Sequence, residues 1–268
     1  MSEPPGEPRP VLVVHGVATR DRDVYEGDVE ALGRALGPGV RLVPVYWGDF
    51  APPDEALDAA LPYLGWSAKE GLRSARHRLL GEVYTLFREQ YLRASARFTA
   101  DLILYHYRQA ELHALVWEAI MRDLPGHGLP EKPVDVITHS LGGTMVFDMA
   151  VAGRPRLHIA NLMSCASQMS YFHAIGASSL EPRGRPRHGH DSGPVTLPAG
   201  IGSWTNFFVP LDPWAYLAAP VFRMADGGEP TDVEVYAGAF SDRILTHAAA
   251  HYWTHPVVID TIKRQLGL

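Results

Sequence analysis

The sequence predicts an α/β fold, in which a mostly parallel central sheet is flanked by helices. Short apolar runs alternate along the chain with longer stretches of helical periodicity. Unbroken apolar runs are typical of parallel strands that are buried on both faces. A long helical stretch between two of these runs further predicts a helical insertion. The predicted strands are 11–14, 40–47, 134–137, 157–165, 204–210 and 232–237.

Helical periodicity accounts for most of the remaining chain. Apolar residues recur at helical spacing over 28–36, and Gly37-Pro-Gly39 ends that helix. Residues 54–122 are almost wholly helical in composition, which is more than one crossover helix requires. We therefore predict an insertion at about 52–100, which could cap a site as a lid, and an ordinary crossover helix at about 107–123. A last helix is predicted over 256–266.

A chain of 268 residues is long enough for one large domain or two small ones, and we predict a single soluble domain over residues 10–268, preceded by a flexible, proline-rich tail at 1–9. The net charge of −6 gives no support for nucleic-acid binding. No apolar run approaches the roughly 20 residues that a transmembrane helix needs. Cys165 is the one cysteine, so no internal disulfide can form. A single cysteine fits a reducing compartment, and the N-terminus lacks the basic start and apolar run of a signal peptide. We therefore predict a cytoplasmic location.

The stretch 134–147 carries the clearest chemical signal. The apolar run 134–137 is followed by Thr-His-Ser-Leu-Gly-Gly and then by a helical pattern from Leu141. A strand that turns directly into a helix at a serine between small residues is a nucleophile elbow. Thr138 and Gly142 are the small residues two positions before and after Ser140. We predict Ser140 as a nucleophile, against the simpler alternative of a serine helix cap.

This motif resembles the elbow of the α/β-hydrolase superfamily of serine esterases and lipases. The family usually has Gly-x-Ser-x-Gly, and here Thr138 replaces the first glycine. The resemblance implies an α/β-hydrolase fold from about residue 10 to the end. It also implies an oxyanion hole formed by the backbone N–H groups of Val17 and Leu141. His15 and Gly16, directly after the first strand, would support that hole, and Gly142 would support the elbow.

The resemblance also implies where the other members of a catalytic triad lie. The family keeps its acid after a late strand, which selects Asp212, although an N-cap role before Pro213 explains this residue equally well. The histidine should lie between the last strand and the last helix. His251 precedes Tyr-Trp as in many family members and is the predicted base. His247 is the alternative, and His255 is the third candidate.

Substrate class is weakly encoded. Residues 206–216 resemble a short part of the intracellular phospholipase A1 enzymes with a DDHD region, and this points to lipid esters. Basic residues on the insertion leave peripheral contact with a membrane as an alternative to a solvated helix face. The tract with His188, His190 and Asp191 is interpreted as a surface loop rather than a metal site. We expect no metal or organic cofactor, and Cys165 is interpreted as a buried structural residue.

The function expected from these residues is hydrolysis of carboxylic esters with apolar acyl or lipid groups, through an acyl-enzyme. A thioesterase or acyltransferase of the same fold is one alternative. A non-catalytic binding module is another, because a fold alone does not establish catalysis. The oligomeric state is not encoded in any motif that we recognise.

Overall fold

A computed structural model describes residues 8–50, 78–124, 126, 132–153, 156–180, 194–210, 212–235 and 247–268. For residues 78–96 the backbone alone is described. Strands in chain order are β1 (Arg9–Val14), β2 (Val40–Val45), β3 (Val134–His139), β4 (Ile159–Cys165), β5 (Val195–Thr196), β6 (Ile201–Phe208), β7 (Phe222–Arg223) and β8 (Thr231–Glu234).

The central sheet has the order β2-β1-β3-β4-β6-β8 within the described residues. Each neighbouring pair of strands in it is parallel. The short strands β5 and β7 form a separate parallel pair. These findings confirm the predicted α/β architecture with a mostly parallel sheet.

The helices are α1 (Arg22–Leu36), α2 (Arg78–Asp123), α3 (Leu141–Val151), α4 (Met169–Ala174), α5 (Ala249–Trp253) and α6 (Pro256–Leu266), and a short 3-10 turn spans Gly48–Phe50. Asp21 caps α1 by accepting a hydrogen bond from the backbone N–H of Val24. This cap explains why α1 begins earlier than its apolar periodicity suggests.

Helices cover both faces of the sheet, and alternate strand residues point into two hydrophobic cores. On one face Leu12 and Val136 pack in a core with residues of α2 and α3, such as Val116 and Met145. On the other face the core contains Val13, Ile137 and Phe207 together with residues of α1, α5 and α6. Both faces of the strands are therefore buried, as their apolar runs predict.

The predicted insertion coincides partly with helix α2. Residues 52–77 lie outside the described residues, and 78–100 belong to the first part of α2. Arg108 has non-helical angles of φ −122° and ψ 29°, so α2 is two helices joined at a kink. The kink lies next to the predicted start of the crossover helix at 107. Among the described helices none is long and apolar enough to cross a membrane.

The strand order places a crevice at the carboxyl ends of β1 and β3. The chain runs from β1 to β2 at the sheet edge and then returns across β1 to form β3 on its other side. In open parallel sheets, ligands bind where the connections from adjacent strands diverge in this way. His15 and Ser140 directly follow β1 and β3, so both lie at this crevice.

Candidate active site

Ser140 occupies a strained turn between β3 and α3. Its backbone angles are φ 51° and ψ −126°, in a region that residues other than glycine rarely adopt. Its N–H donates a hydrogen bond to the carbonyl oxygen of Cys165 at 2.9 Å, which ties the turn to the end of β4. Such a strained strand-to-helix turn holds a nucleophilic side chain away from the backbone. Ser140 therefore stays the candidate nucleophile of this site, on a turn whose backbone is strained.

Two glycines make this turn sterically feasible. A Cβ added at Gly142 would lie 2.7 Å from the carbonyl oxygen of Val14 and closer still to that of His15. A Cβ added at Gly143 would lie 3.0 Å from the Oγ1 of Thr138. The space left by Gly143 therefore accommodates the side chain of Thr138. The buried Oγ1 of Thr138 makes no hydrogen bond.

His247 bridges the serine and a carboxylate. Its Nε2 lies 2.9 Å from the Oγ of Ser140, and its Nδ1 lies 2.9 Å from the Oδ2 of Asp212. The hydrogen-bond network fits one tautomer best, in which Nδ1–H donates to the carboxylate and Nε2 accepts from the hydroxyl. The imidazole is therefore oriented to take a proton from Ser140.

Asp212 is held by two further donors. The backbone N–H of Trp214 donates to its Oδ1 at 2.9 Å, and the hydroxyl of Tyr252 donates to its Oδ2 at 3.0 Å. The side chain has no solvent exposure, whereas that of His247 is 21% exposed. Burial, followed by the nearby Asp212 charge, raises the pKa of Tyr252, so this phenol stays a donor. These contacts fix the carboxylate against the imidazole.

The prediction of His251 as the base is corrected by this geometry. His251 lies in helix α5, which begins at Ala249, and its buried Nε2 makes no hydrogen bond. Tyr252 and Trp253 of the same helix enter the core. His247 precedes the helix and contacts both partners. His255 caps α6 by accepting a hydrogen bond from the N–H of Val257. His247, the alternative candidate, is therefore the histidine that contacts both Ser140 and Asp212.

The loop after β1 lies against Ser140, as predicted for an oxyanion loop. A Cβ added at Gly16 would lie 2.7 Å from the Cβ of Ser140. His15 fixes the loop because its Nδ1 lies 2.8 Å from the carbonyl oxygen of Gly16 and its Nε2 accepts from the N–H of Trp47 at 3.0 Å. The rings of His15 and Trp47 also stack. The donor role of the Val17 and Leu141 N–H groups stays a prediction.

Two buried histidines beside Ser140 are held neutral. Burial lowers the pKa of His15 to about 3. Burial, followed by repulsion from the neighbouring His247 and His15, places the pKa of His139 well below its usual range. A neutral His139, whose ring centroid is 5.0 Å from that of His247, adds no competing positive charge. This environment leaves His247 as the imidazole that contacts the serine hydroxyl.

Gln168 is a site residue that the sequence analysis missed. Its Nε2 donates a hydrogen bond to the Oγ of Ser140 at 3.0 Å, and the side chain is almost wholly buried. It follows β4, and the parallel register places the end of that strand beside the end of β3. Polar residues at the end of a strand next to the nucleophile strand are the signal that could have identified it.

Aromatic side chains lie beside the candidate triad. Phe98 of α2 packs on Trp214 with ring centroids 4.2 Å apart, and its ring lies 6.3 Å from that of His247. Trp214 is 38% exposed. Ser140 itself has no exposed surface, so a substrate needs a movement of the surrounding residues to reach it. Phe98 and Trp214 therefore place aromatic surface next to His247.

In the described part of the chain, no cluster of three or more His, Cys, Asp or Glu side chains could hold a metal ion. His188, His190 and Asp191 lie outside the described residues. Cys165 is fully buried, and burial raises the pKa of its thiol. A neutral buried thiol is a poor nucleophile, which agrees with a structural role.

Comparisons with known proteins identify no relative from which a function could be inferred, so the functional proposal rests on the geometry of the site. The sequence matches no protein-family model and no curated protein.

Proposed function

We propose that the chain is a serine hydrolase that cleaves carboxylic esters through an acyl-enzyme. One observation carries the proposal: His247 reaches the Oγ of Ser140 through Nε2 and Asp212 through Nδ1, each at 2.9 Å. A nucleophile, a base and a group that orients the base are the three parts of a triad. The strained backbone of Ser140 is independent support, because a simple helix cap needs no such strain.

In the first half of the proposed reaction, Ser140 attacks the ester carbonyl carbon while His247 Nε2 takes its proton. Asp212 stabilises the resulting imidazolium. The carbonyl oxygen becomes an oxyanion, and the N–H groups of Val17 and Leu141 would bind it, each contributing about 3 kcal/mol. Collapse of this intermediate breaks the bond to the alcohol, which leaves with the proton from His247.

The second half repeats the chemistry with water. His247 takes a proton from a water molecule, and the hydroxide attacks the acyl carbon. Collapse returns the electron pair to the Oγ of Ser140, which regains its proton from His247 as the carboxylic acid leaves. Gln168 would hold the Oγ in place at both stages through its 3.0 Å hydrogen bond. The scheme uses residues of this chain alone.

Apolar acyl groups are the substrates that the described surroundings favour. Phe98 and Trp214 border His247 with aromatic surface, and a partly exposed tryptophan can bind an acyl chain. Phospholipase A1 activity is the specific form of this proposal, and it rests on the short sequence resemblance at 206–216. A thioesterase or acyltransferase would use the same residues with a different leaving group or acceptor. A cytoplasmic location stays a prediction from composition.

The test is hydrolysis of a panel of substrates by wild type and by Ser140→Ala. The panel contains p-nitrophenyl esters of increasing chain length, acyl-CoA thioesters and phosphatidylcholine in mixed micelles. We expect ester hydrolysis that increases with chain length and a loss of at least about 10³-fold in kcat for the variant. Ser203→Ala, at the far end of β6, is the matched control and should retain wild-type rates.

Each other outcome has a clear meaning. Cleavage of thioesters with little ester cleavage would support the thioesterase alternative. Full hydrolytic activity in Ser140→Ala would exclude the proposed nucleophile. A folded wild type that hydrolyses nothing in the panel, with or without micelles, would favour the non-catalytic binding module.

A further inference from the structure

A buried carboxylate of helix α2 holds the loop that follows β1. The side chain of Asp101 has no exposed surface, and its Oδ2 accepts a hydrogen bond from the backbone N–H of Ala18 at 2.7 Å. Ala18 has φ 60°, a left-handed conformation that residues other than glycine rarely adopt. Its carboxylate partner stabilises this conformation directly after Val17, the predicted oxyanion donor.

Arg20 completes the contact from the other end of the loop. Its two terminal nitrogens donate to both oxygens of Asp101, at 3.0 Å and 2.7 Å. A bidentate pair of this kind fixes direction as well as distance. The pair is largely removed from solvent, since the Arg20 side chain is 16% exposed. Asp101 therefore binds the loop at residues 18 and 20 together.

The same turn of α2 also reaches the other side of the site. Phe98 lies three residues before Asp101 and packs against Trp214 and His247. This turn precedes the kink at Arg108, so it belongs to the first arm of α2, at the end of the predicted insertion. One helical turn thus contacts the base side of the candidate triad through Phe98 and the oxyanion loop through Asp101.

We propose that Asp101 is a positioning residue for catalysis, which sets the oxyanion loop through Ala18 and Arg20. The inference rests on the proposed hydrolase function and extends it to the inserted helix. With Asp101 in place, the loop presents the Val17 N–H toward Ser140 before substrate binds.

The experiment compares wild type with Asp101→Asn on the best p-nitrophenyl ester. Active enzyme is first counted by stoichiometric labelling with a fluorophosphonate, so that unfolded protein does not lower the apparent kcat. We expect kcat to fall by about 10- to 100-fold, part of the effect of removing an oxyanion donor, while KM stays within about threefold. A purely structural role would lower the active fraction and leave kcat per active site unchanged.

A boronic acid inhibitor gives a second readout. Its tetrahedral adduct with Ser140 places an oxygen in the oxyanion hole, so its inhibition constant should weaken by the same factor as kcat. Asp49→Asn is the matched control: it also removes a carboxylate from an arginine pair, with Arg22 at 3.0 Å, but Asp49 is 73% exposed. This control should match wild type in kcat, KM and inhibition.

Arg20→Lys covers the case in which Asp101→Asn does not fold. The lysine keeps a positive charge beside Asp101 but loses the bidentate geometry. We expect a fall in kcat of about 3- to 10-fold with an unchanged KM. If the Asp101 and Arg20 variants fold and keep the wild-type kcat and inhibition constant, the role of Asp101 is overturned. The hydrolase function is not affected by that result, provided that Ser140→Ala has lost hydrolysis. If wild type itself neither hydrolyses esters nor reacts with the probe, the hydrolase function fails and this inference fails with it.

Discussion

The Nε2 of His247 lies 2.9 Å from the Oγ of Ser140, although the two residues are 107 positions apart in the chain. Ser140 follows the central strand β3, and His247 precedes the short helix α5. Asp212, at the opposite ring nitrogen, completes a line of hydrogen bonds that ends in a buried carboxylate.

Replacing His247 should abolish turnover, while replacing His251 should not. Without His247 no base contacts the serine hydroxyl, so His247→Ala should lower kcat by at least about 10³-fold. His251→Ala is the matched control from the same segment, and we expect its kcat to stay within about threefold of wild type. Ester hydrolysis rates corrected for folded protein check this prediction. If His251→Ala lowered kcat far more than His247→Ala, His251 would be the base, as the sequence predicted.

Asp212→Asn should impair catalysis without disturbing the fold. An amide cannot stabilise the imidazolium and favours the wrong tautomer of His247, so kcat should fall by about 10³- to 10⁴-fold. Tyr252→Phe removes one hydrogen bond to the carboxylate and should cost about tenfold in kcat at most. Steady-state kinetics of both variants test the order of these effects. An Asp212→Asn enzyme as active as Tyr252→Phe would contradict the role of Asp212.

Gln168→Ala tests the hydrogen bond to the nucleophile. A neutral hydrogen bond contributes about 0.5–1.5 kcal/mol, so its loss should lower kcat by roughly 2- to 12-fold. Gln168→Glu should have a larger effect, because its carboxylate would accept the hydrogen bond that the serine hydroxyl otherwise donates to His247. Comparison of kcat for the two variants at neutral pH is the measurement. If neither changes kcat, Gln168 has no part in the reaction.

His15 should make the stability of the protein depend on pH. Its pKa of about 3 in the folded state lies below its ordinary value of 6.5, so the unfolded chain binds a proton that the folded chain does not. This group should therefore lower the free energy of unfolding by about 1.4 kcal/mol for each unit by which the pH falls between pH 6.5 and about 3, and by no more below that. Above pH 6.5 the contribution is constant. His139 acts in the same direction.

His15→Gln isolates that contribution. The free energy of unfolding is measured with urea between pH 7.5 and pH 5. Below pH 6.5 it should fall less steeply with pH in the variant, and the two slopes should differ by about 1.4 kcal/mol per pH unit, the value for one proton. The variant should also be less stable at pH 7.5, since the stacking of His15 on Trp47 is lost. Equal slopes for the two proteins would contradict the neutral, buried state of His15.

Local patterns in the sequence were sufficient to predict the strands of the sheet and the tight turn at Ser140. Apolar runs predict β1 and β3 because parallel strands are buried on both faces. The geometry at Ser140 also follows from local sequence, since the tight turn requires small residues at 138 and 142. Asp212 became a candidate because the family resemblance implies an acid after a late strand, and Asp212 follows the predicted strand 204–210.

The base could not be chosen from local sequence. His247, His251 and His255 recur at a spacing of four residues, so all three suit the same predicted connection. What separates them is the start of α5 at Ala249, which places His251 on a helix and leaves His247 before it. The contacts of Gln168 and Asp101 depend on strand register and on a distant helix, and no short motif records them.

The most direct test of the triad is the rate of fluorophosphonate labelling, with the modified residue located by peptide mass spectrometry. Wild type and His251→Ala should be labelled rapidly at Ser140. His247→Ala should react at least about 10²-fold more slowly, because the hydroxyl then lacks its base. Labelling at another residue, or equal rates with and without His247, would contradict the assignment of Ser140, His247 and Asp212 as the catalytic residues.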